Sequence, residues 1–535
     1  MAKLIASVPM LVADPAVCAA RRLPHFEDVD LDGDFFLDGP VTRRVAVLDF
    51  DEKTGDLHPG IPFVPPREGG REGRYQPDST DPSSRQMQAL GVFATVMKTI
   101  LQFEDPEVLG REVRWAFDAP QLLIVPRAGE LVNAFYQRES HSLQFFFFND
   151  DEDRRVYTAA SRDIVAHETA HALLDGIAPD LHHASTPQSL ALHECVADMV
   201  ALLSAFSSRT LSDGVLEETG GSISASTAFS ELAEQFGGKR ALRSLRNEKR
   251  LCDVPGTEPH RLSEVLSGAL YAVVEALFNA RKAMPPRRLL GGMTSQFRRI
   301  LVRALDYLPP GEISFADYGR AIMASDQAAY PKDPMARETL SAELVKRGIV
   351  PKAAALAVKT NFKSRELAGV DLDTLVDSDW AAYEFANRNR AFLRIPRGIH
   401  FRVHPRLRAL RSYRQKPGED PQQVHEYLFK VSWDQTEPNR IGGRFAPKRQ
   451  ITVGTTLAVN AQTREVRALL TADHEQQAEW RDALLRTLAA RHLLAIDAES
   501  EWMPGKPLGS TIRVEQMKGV MRVRGTARML HVGRI

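Results

Sequence analysis

The sequence predicts a multidomain α+β protein, and three observations lead to this fold class. Alternating apolar and polar residues, the pattern of half-buried strands, are concentrated toward the two ends of the chain. The middle of the chain carries long stretches of helical periodicity instead. At 535 residues with 43% hydrophobic residues, the chain can form about two to four domains with sizeable cores.

Residues 1–66 predict a β-rich segment with strands at 44–50 and 61–64, and residues 67–85 predict a linker rich in Gly, Pro, Arg, Asp and Ser. Three cysteines are too few for a disulfide framework. No run of eighteen apolar residues occurs, and proline and aspartate break the apolar N-terminus. We therefore expect no membrane span and a cytoplasmic location, with secretion as the alternative.

The next elements alternate between helix and strand patterns. A helix is expected from about residue 85 to residue 103, followed by strands at 113–117, 122–125, 131–136 and 143–148. The last of these is a continuous apolar run, which is typical of a central strand.

The most informative motif follows these strands. His167-Glu168-x-x-His171 lies in a largely apolar helical pattern that Ser161 can cap and that Gly176 and Pro179 are expected to end. Two imidazoles four residues apart on a helix point the same way and can bind one metal ion. Chance alone gives such a pentad in roughly one of forty chains of this length, so the surrounding pattern matters.

A second helix is expected to start at Thr186-Pro187, an N-cap followed by proline. It carries Glu194 and Asp198 on one face, four residues apart. Zinc takes three protein ligands and one open position in catalytic sites, which makes Glu194 the candidate third ligand. Asp198 could accept the second ring N–H of a ligand histidine. The sequence therefore predicts one Zn²⁺ per chain, and the competing interpretation is a pair of core helices with buried histidines.

His167-Glu168-x-x-His171 with Glu194-x-x-Ala197-Asp198 resembles the metal-binding motif of the thermolysin-like gluzincins. Further segments are similar to that family in the same order: Asn133-Ala134-Phe135-Tyr136, Ala241-Leu242-Arg243-Ser244-Leu245, Pro259-His260-Arg261-Leu262-Ser263, and the regions 304–308, 315–318 and 348–349. The resemblance covers residues 86–350. It implies a two-lobed metallopeptidase domain, in which a cleft separates a sheet-bearing lobe from a helical lobe.

The resemblance also implies roles for individual residues. Glu168 would be the general base, and His260 would stabilise the oxyanion. Asn133 and Ala134 on an edge strand would hold the substrate backbone, and Arg243 would bind a substrate carbonyl.

Four positions depart from the family pattern. The family usually has a tyrosine in the loop before the third ligand, but no tyrosine lies between His171 and Glu194, and His182 and His183 occur there instead. His193 stands where the family usually has an asparagine before the ligand glutamate. Pro255 stands where an aspartate usually orients the catalytic histidine, which leaves Glu258 or Asp253 as substitutes. The calcium-binding segment of the family is replaced by residues 145–150, which weighs against a calcium requirement.

Residues 351–535 predict a basic C-terminal α+β domain, with strand patterns near 427–433, 451–459 and 511–532 and a helix at 475–494. This part holds 31 Lys and Arg against 20 Asp and Glu, although the whole chain is neutral. The excess of basic residues is concentrated in residues 388–449, where it could bind the phosphates of a nucleic acid. We favour a solvated or docking face, because no nucleic-acid motif accompanies the charge.

Together these features predict a zinc metalloendopeptidase that acts on a protein or peptide substrate. The alternative is a weak or inactive peptidase-fold protein whose basic C-terminal domain recognises a protein partner or nucleic acid. Retention of Glu168 favours the enzyme, because a structural zinc site has no use for a general base.

Overall fold

A computed structural model describes residues 4–224, 227–232, 243–280, 284–413, 420–473, 477–496 and 512–526. These ranges contain 12 α-helices and several sheets, consistent with the α+β class. The strands are β1 (Leu4–Leu11), β2 (Phe26–Gly33), β3 (Val45–Val47), β4 (Phe63–Val64), β5 (Glu72–Tyr75), β6 (Leu122–Val125), β7 (Ala134–Gln137), β8 (Ser142–Phe145), β9 (Phe147–Asn149), β10 (Arg155–Tyr157), β11 (Glu231–Leu232), β12 (Arg243–Ser244), β13 (Phe401–Val403), β14 (Leu407–Tyr413), β15 (Gln422–Pro438), β16 (Lys448–Asn460), β17 (Val466–Thr471), β18 (Leu494–Ile496), β19 (Ile512–Met517) and β20 (Val520–Arg524). The helices are α1 (Pro15–Arg21), α2 (Arg85–Glu104), α3 (Arg162–Ile177), α4 (Pro187–Ser207), α5 (Arg209–Glu218), α6 (Pro259–Asn279), α7 (Pro286–Tyr307), α8 (Phe315–Ala329), α9 (Met335–Lys346), α10 (Leu372–Asp377), α11 (Asp379–Arg388) and α12 (Ala478–Ala490).

Two four-stranded sheets form the first part of the molecule. One has the order β2-β1-β5-β4 and the other the order β3-β6-β8-β7, within the described ranges. Strand β8 lies between β6 and β7, so the expectation of a central strand at the start of 143–148 is confirmed. Strand β7 lies at the edge of its sheet, and α3 packs against it.

Two sequence expectations fail in this part. Residues 72–75 fall in the predicted linker but form β5, which pairs with β1 in parallel. Residues 113–117 form no strand, because side chains satisfy the backbone there: Val113 N donates to Glu104 at 2.9 Å, and Arg44 donates to Val113 O at 2.6 Å.

Helices α3, α4, α6 and α7 pack on one another and contribute to the largest hydrophobic core. Helices α4 and α6 are long and apolar enough to cross a membrane by length and composition alone. The most hydropathic window of α4 is 100% buried inside the protein, and that of α6 is 72% buried. Burial on that scale is what the core helices of a globular domain require.

The C-terminal part is built on a sheet of eight described strands. The order is β13-β15-β16-β20-β19-β18, with β14 paired to β15 and β17 paired to β16. Leu428 and Ala458 of this sheet belong to the same hydrophobic core as the central helices. Other buried apolar residues of this part form two further cores, one within residues 367–466 and one that joins residues 484–523 to Leu190 of α4. The domain division stays a prediction.

Candidate metal centre

Helix α3 carries the first two candidate ligands. The predicted cap is confirmed, because Ser161 Oγ accepts a hydrogen bond from Ile164 N. The helix continues to Ile177, one residue beyond the predicted end at Gly176. A Cβ at Gly176 would lie 2.1 Å from Arg114 O, so this glycine permits a close backbone approach inside the helix.

The two imidazoles of α3 and one carboxylate of α4 converge on a single point. His167 Nε2 lies 3.1 Å from His171 Nε2. Glu194 Oε2 lies 3.7 Å from His167 Nε2, and Glu194 Oε1 lies 3.5 Å from His171 Nε2. All three side chains are nearly buried, with His167 the most accessible at 12% exposure.

These separations fit a zinc ion. A tetrahedral ion at about 2.0–2.1 Å from each ligand separates its ligand atoms by about 3.3 Å. The observed separations of 3.1, 3.5 and 3.7 Å bracket that value. Two imidazole nitrogens and a carboxylate oxygen are also the donor set of known catalytic zinc sites.

Glu168 lies beside the convergence point. Its carboxylate is within 4.8 Å of the donor nitrogens of both His167 and His171. Its Oε2 accepts a hydrogen bond of 3.0 Å from Tyr136 N on β7, which fixes the carboxylate against the edge strand. Glu194 approaches both histidines to 3.7 Å or less, which suits a ligand, whereas one oxygen of Glu168 is held by the Tyr136 amide beside the site.

Asp198 lies one turn beyond Glu194 on α4. Its Oδ1 is 3.1 Å from His167 Nδ1. An Nδ1–H that donates to this carboxylate leaves the lone pair of Nε2 directed at the convergence point. The arrangement therefore orients one candidate ligand for metal binding.

His260 lies in the first turn of α6, and its Nε2 is 3.5 Å from Glu194 Oε2. Its side chain is 31% exposed, so it borders solvent as well as the metal centre. The two carboxylates expected to orient this ring make other contacts. Glu258 pairs with Arg261 at 3.7 Å, and Asp253 accepts from Arg250 N at 2.9 Å.

The candidate substrate-binding residues are only partly described. Asn133 precedes β7, and its Oδ1 accepts from Ala134 N at 2.9 Å. Ala134 is the first residue of the edge strand and pairs with Phe145 of β8. The backbone of Arg243 lies in β12, where it pairs with Leu232. The side chain of Arg243 lies outside the described part, as do residues 241 and 242.

The loop between α3 and α4 holds one buried histidine, His182, and one partly buried histidine, His183, and neither belongs to the metal-binding motif. Burial, reinforced by Arg138, lowers the pKa of His183 to about 4 and that of His182 far below its ordinary value. His183 Nε2 lies 3.3 Å from Arg138 Nη1, and its Nδ1 accepts from Gly525 N at 3.0 Å. These neutral, packed rings hold the loop in place, and no sequence spacing would have identified their partners.

His193, at the position of the usual asparagine, is also buried. Its ring centroid lies 5.7 Å from that of His171, and burial lowers its pKa to about 3. A neutral imidazole here adds no charge next to the ligands.

No family model matches the chain, and no curated protein matches it. Among solved structures, the chain is similar to the precursor of protealysin, a metalloproteinase from Serratia proteamaculans, at 14% identity. The match covers 57% of this chain and 88% of the other, with a TM-score of 0.39. A similarity at that level does not establish a shared fold or function.

Proposed function

We propose that the chain is a zinc-dependent metalloendopeptidase with a thermolysin-like, two-lobed catalytic domain. The observation that supports this best is the convergence of His167, His171 and Glu194 at 3.1 to 3.7 Å, with Glu168 beside them. Three ligands leave an open coordination position, and a second carboxylate next to it can work as a base.

His167, His171 and Glu194 would hold the ion. Bound zinc supplies Lewis acidity, which brings the pKa of its water to about 7 and polarises a carbonyl. Glu168 takes a proton from the attacking water and delivers it to the leaving amine. The amide of Tyr136 holds Glu168 in position, and Asp198 holds His167 in the required tautomer.

The surrounding residues can bind and stabilise the substrate. Strand β7 lies at the edge of its sheet within the described residues, where an extended peptide can lie beside it. Two of its amides, those of Ala134 and Tyr136, already donate to Asn133 Oδ1 and Glu168 Oε2. His260 Nε2 borders the metal centre and can donate to the oxyanion. A peptide that lies along a strand needs no chain terminus there, which favours cleavage at internal bonds of an unfolded polypeptide.

One observation favours the alternative, a weak or inactive peptidase-fold binding protein. Glu258 pairs with Arg261 and Asp253 accepts from Arg250 N, so neither carboxylate expected to orient the His260 ring is described in contact with it.

The basic region 388–449 gives little support to nucleic-acid binding. Arg402, Arg406, Arg408 and Arg411 in it pair with carboxylates, which supports a structural use of this charge.

Product mapping tests the proposal. The purified chain, loaded with zinc, is incubated with a reduced and alkylated protein, and the fragments are identified by mass spectrometry. We expect internal cleavage that a chelator abolishes and added zinc restores. Intact substrate at equal zinc occupancy would support the binding-protein alternative.

A further inference from the structure

The C-terminal part of the chain contacts the metal-site helices through a buried carboxylate, Glu312. This residue lies in the connection between α7 and α8 and is 8% exposed. Its Oε1 accepts from Ser185 N at 3.1 Å and from Ser185 Oγ at 2.8 Å. Its Oε2 accepts from Thr186 Oγ1 and, at 2.8 Å, from Arg481 Nε of α12.

These contacts replace the ordinary cap of α4. Thr186 is the N-cap residue, but its hydroxyl makes no capping bond to its own helix and donates to Glu312 instead. A carboxylate at a helix N-terminus interacts favourably with the helix dipole, so Glu312 takes over the stabilising role of the cap. The start of α4 is thus fixed from outside the helix.

Further bonds tie the same connection to α4. Ser189 Oγ donates to Ile313 O at 2.9 Å and accepts from Ile313 N at 2.8 Å. Phe315 N donates to Gln188 Oε1 at 2.9 Å. The first turn of α4 is therefore held along its side as well as at its end.

Arg481 is itself fixed within the C-terminal part. It is fully buried, and its Nη1 donates to Glu437 at 2.5 Å, where Arg449 Nε also donates at 2.5 Å. Burial opposes the charge of Glu312, yet Arg481 and the Ser185 donors keep its pKa below the ordinary value. A charged Glu312 is the form that all four donors require.

The bonds from Glu312 and Ile313 fix the first turn of α4, the helix that carries Glu194. Thr186 and Glu194 are eight residues apart, which corresponds to about 12 Å along a helix. A rigid helix transmits a shift at its first turn to the ligand, and metal sites tolerate displacements of only about 0.5 Å. The position of Glu194 is consequently coupled to Arg481.

We propose that Glu312 and Arg481 are positioning residues, through which the C-terminal part sets the register of α4 and places Glu194 at the metal. This inference rests on the proposed zinc site. It makes the C-terminal part a component of that site's framework and predicts that changes there alter zinc affinity.

The test compares full-length variants by zinc affinity, measured by competition with a chelator, and by the absorption spectrum of the Co²⁺-substituted protein. Glu312→Gln removes the charge, and Thr186→Val removes one hydroxyl from the same link while leaving the ion pair intact. The matched control is Glu426→Gln. Glu426 is also buried, and it accepts from Arg411 of β14 at 2.6 Å and from Tyr307 at the end of α7.

We expect Glu312→Gln and Thr186→Val each to weaken zinc binding by about tenfold and to change the Co²⁺ spectrum, as loss of an outer-shell partner does. Glu426→Gln should lower the unfolding temperature with zinc affinity unchanged. Wild-type affinity in Thr186→Val, or an equal loss in Glu426→Gln, would overturn the inference and leave the proposed function standing. Retention of zinc by the His171→Ala variant would contradict both the inference and the proposed zinc site.

Discussion

His167 Nδ1 and Asp198 Oδ1 lie 3.1 Å apart, across the interface between α3 and α4. This contact joins a candidate ligand on one helix to a carboxylate on the next. It means that the packing of the two helices and the orientation of the metal ligand depend on each other.

Asp198→Asn should weaken zinc binding by about 10- to 100-fold, because the amide no longer favours the Nδ1–H tautomer of His167. The measurement is competition with a chelator. Asp213→Asn, which changes an exposed carboxylate paired with Arg287, serves as the control and should bind zinc normally. Unchanged affinity in Asp198→Asn would mean that the contact has no part in metal binding.

His260→Ala should lower kcat by about 10²–10³ and leave KM and zinc content nearly unchanged, the pattern of a contact made mainly in the transition state. Steady-state kinetics with a quenched peptide would measure it. Arg261→Ala, at the exposed neighbouring position, is the control. A kcat equal to that of the wild type would remove His260 from the mechanism.

Gly176→Ala tests the close approach of α3 to the segment that carries Arg114. Alanine favours a helix interior over glycine by about 1 kcal/mol. The new Cβ would lie 2.1 Å from Arg114 O, and overpacking of this kind costs about 1–3 kcal/mol. The net change measured by denaturant unfolding should therefore be a loss of stability.

The matched control for this change is Gly291→Ala. Gly291 lies within α7, and a Cβ there meets nothing within 4 Å. Its substitution should stabilise the protein by up to about 1 kcal/mol. Equal effects of the two substitutions would show that helix propensity alone decides the outcome.

Protonation of His183 should make the folded protein sensitive to acid. Burial and Arg138 lower this pKa from 6.5 to about 4 in the folded state. As the pH falls, His183 takes up its proton at a higher pH in the unfolded chain than in the folded protein. The free energy of unfolding is therefore highest above about pH 6.5 and falls as the pH drops toward 4. The free energy of unfolding should fall by an amount on the order of 3 kcal/mol over this range.

Equilibrium unfolding of metal-free protein between these pH values measures the effect. His183→Gln should show a shallower acid loss than the wild type, because glutamine binds no proton. His400→Gln, at an exposed position, should leave the slope unchanged. Equal slopes for wild type and His183→Gln would contradict the assignment.

The sequence was most informative where the chemistry depends on local spacing. The helices around His167 and Glu194 follow from periodicity and capping residues, because both signals act within one or two turns. Strand β8 could be anticipated in the same way from its apolar run.

Long-range contacts could not be anticipated. Strand β5 forms in a Gly- and Pro-rich stretch because β1 and β4 supply its partners, and no local pattern reports on them. Glu312 lies 118 to 127 residues from Glu194 and Ser185 along the chain, so its role at α4 depends on tertiary packing. The partners of His260 are set by how the start of α6 approaches α4, which spacing does not define.

The most direct test of the central claim is the kcat/KM of Glu168→Gln, measured with zinc content on the same samples. Glutamine has nearly the same shape as glutamate but cannot accept the proton of the attacking water at neutral pH. The proposal predicts a full complement of zinc and a kcat/KM lower by about 10²–10⁴. Undiminished peptide hydrolysis by zinc-loaded Glu168→Gln would contradict it.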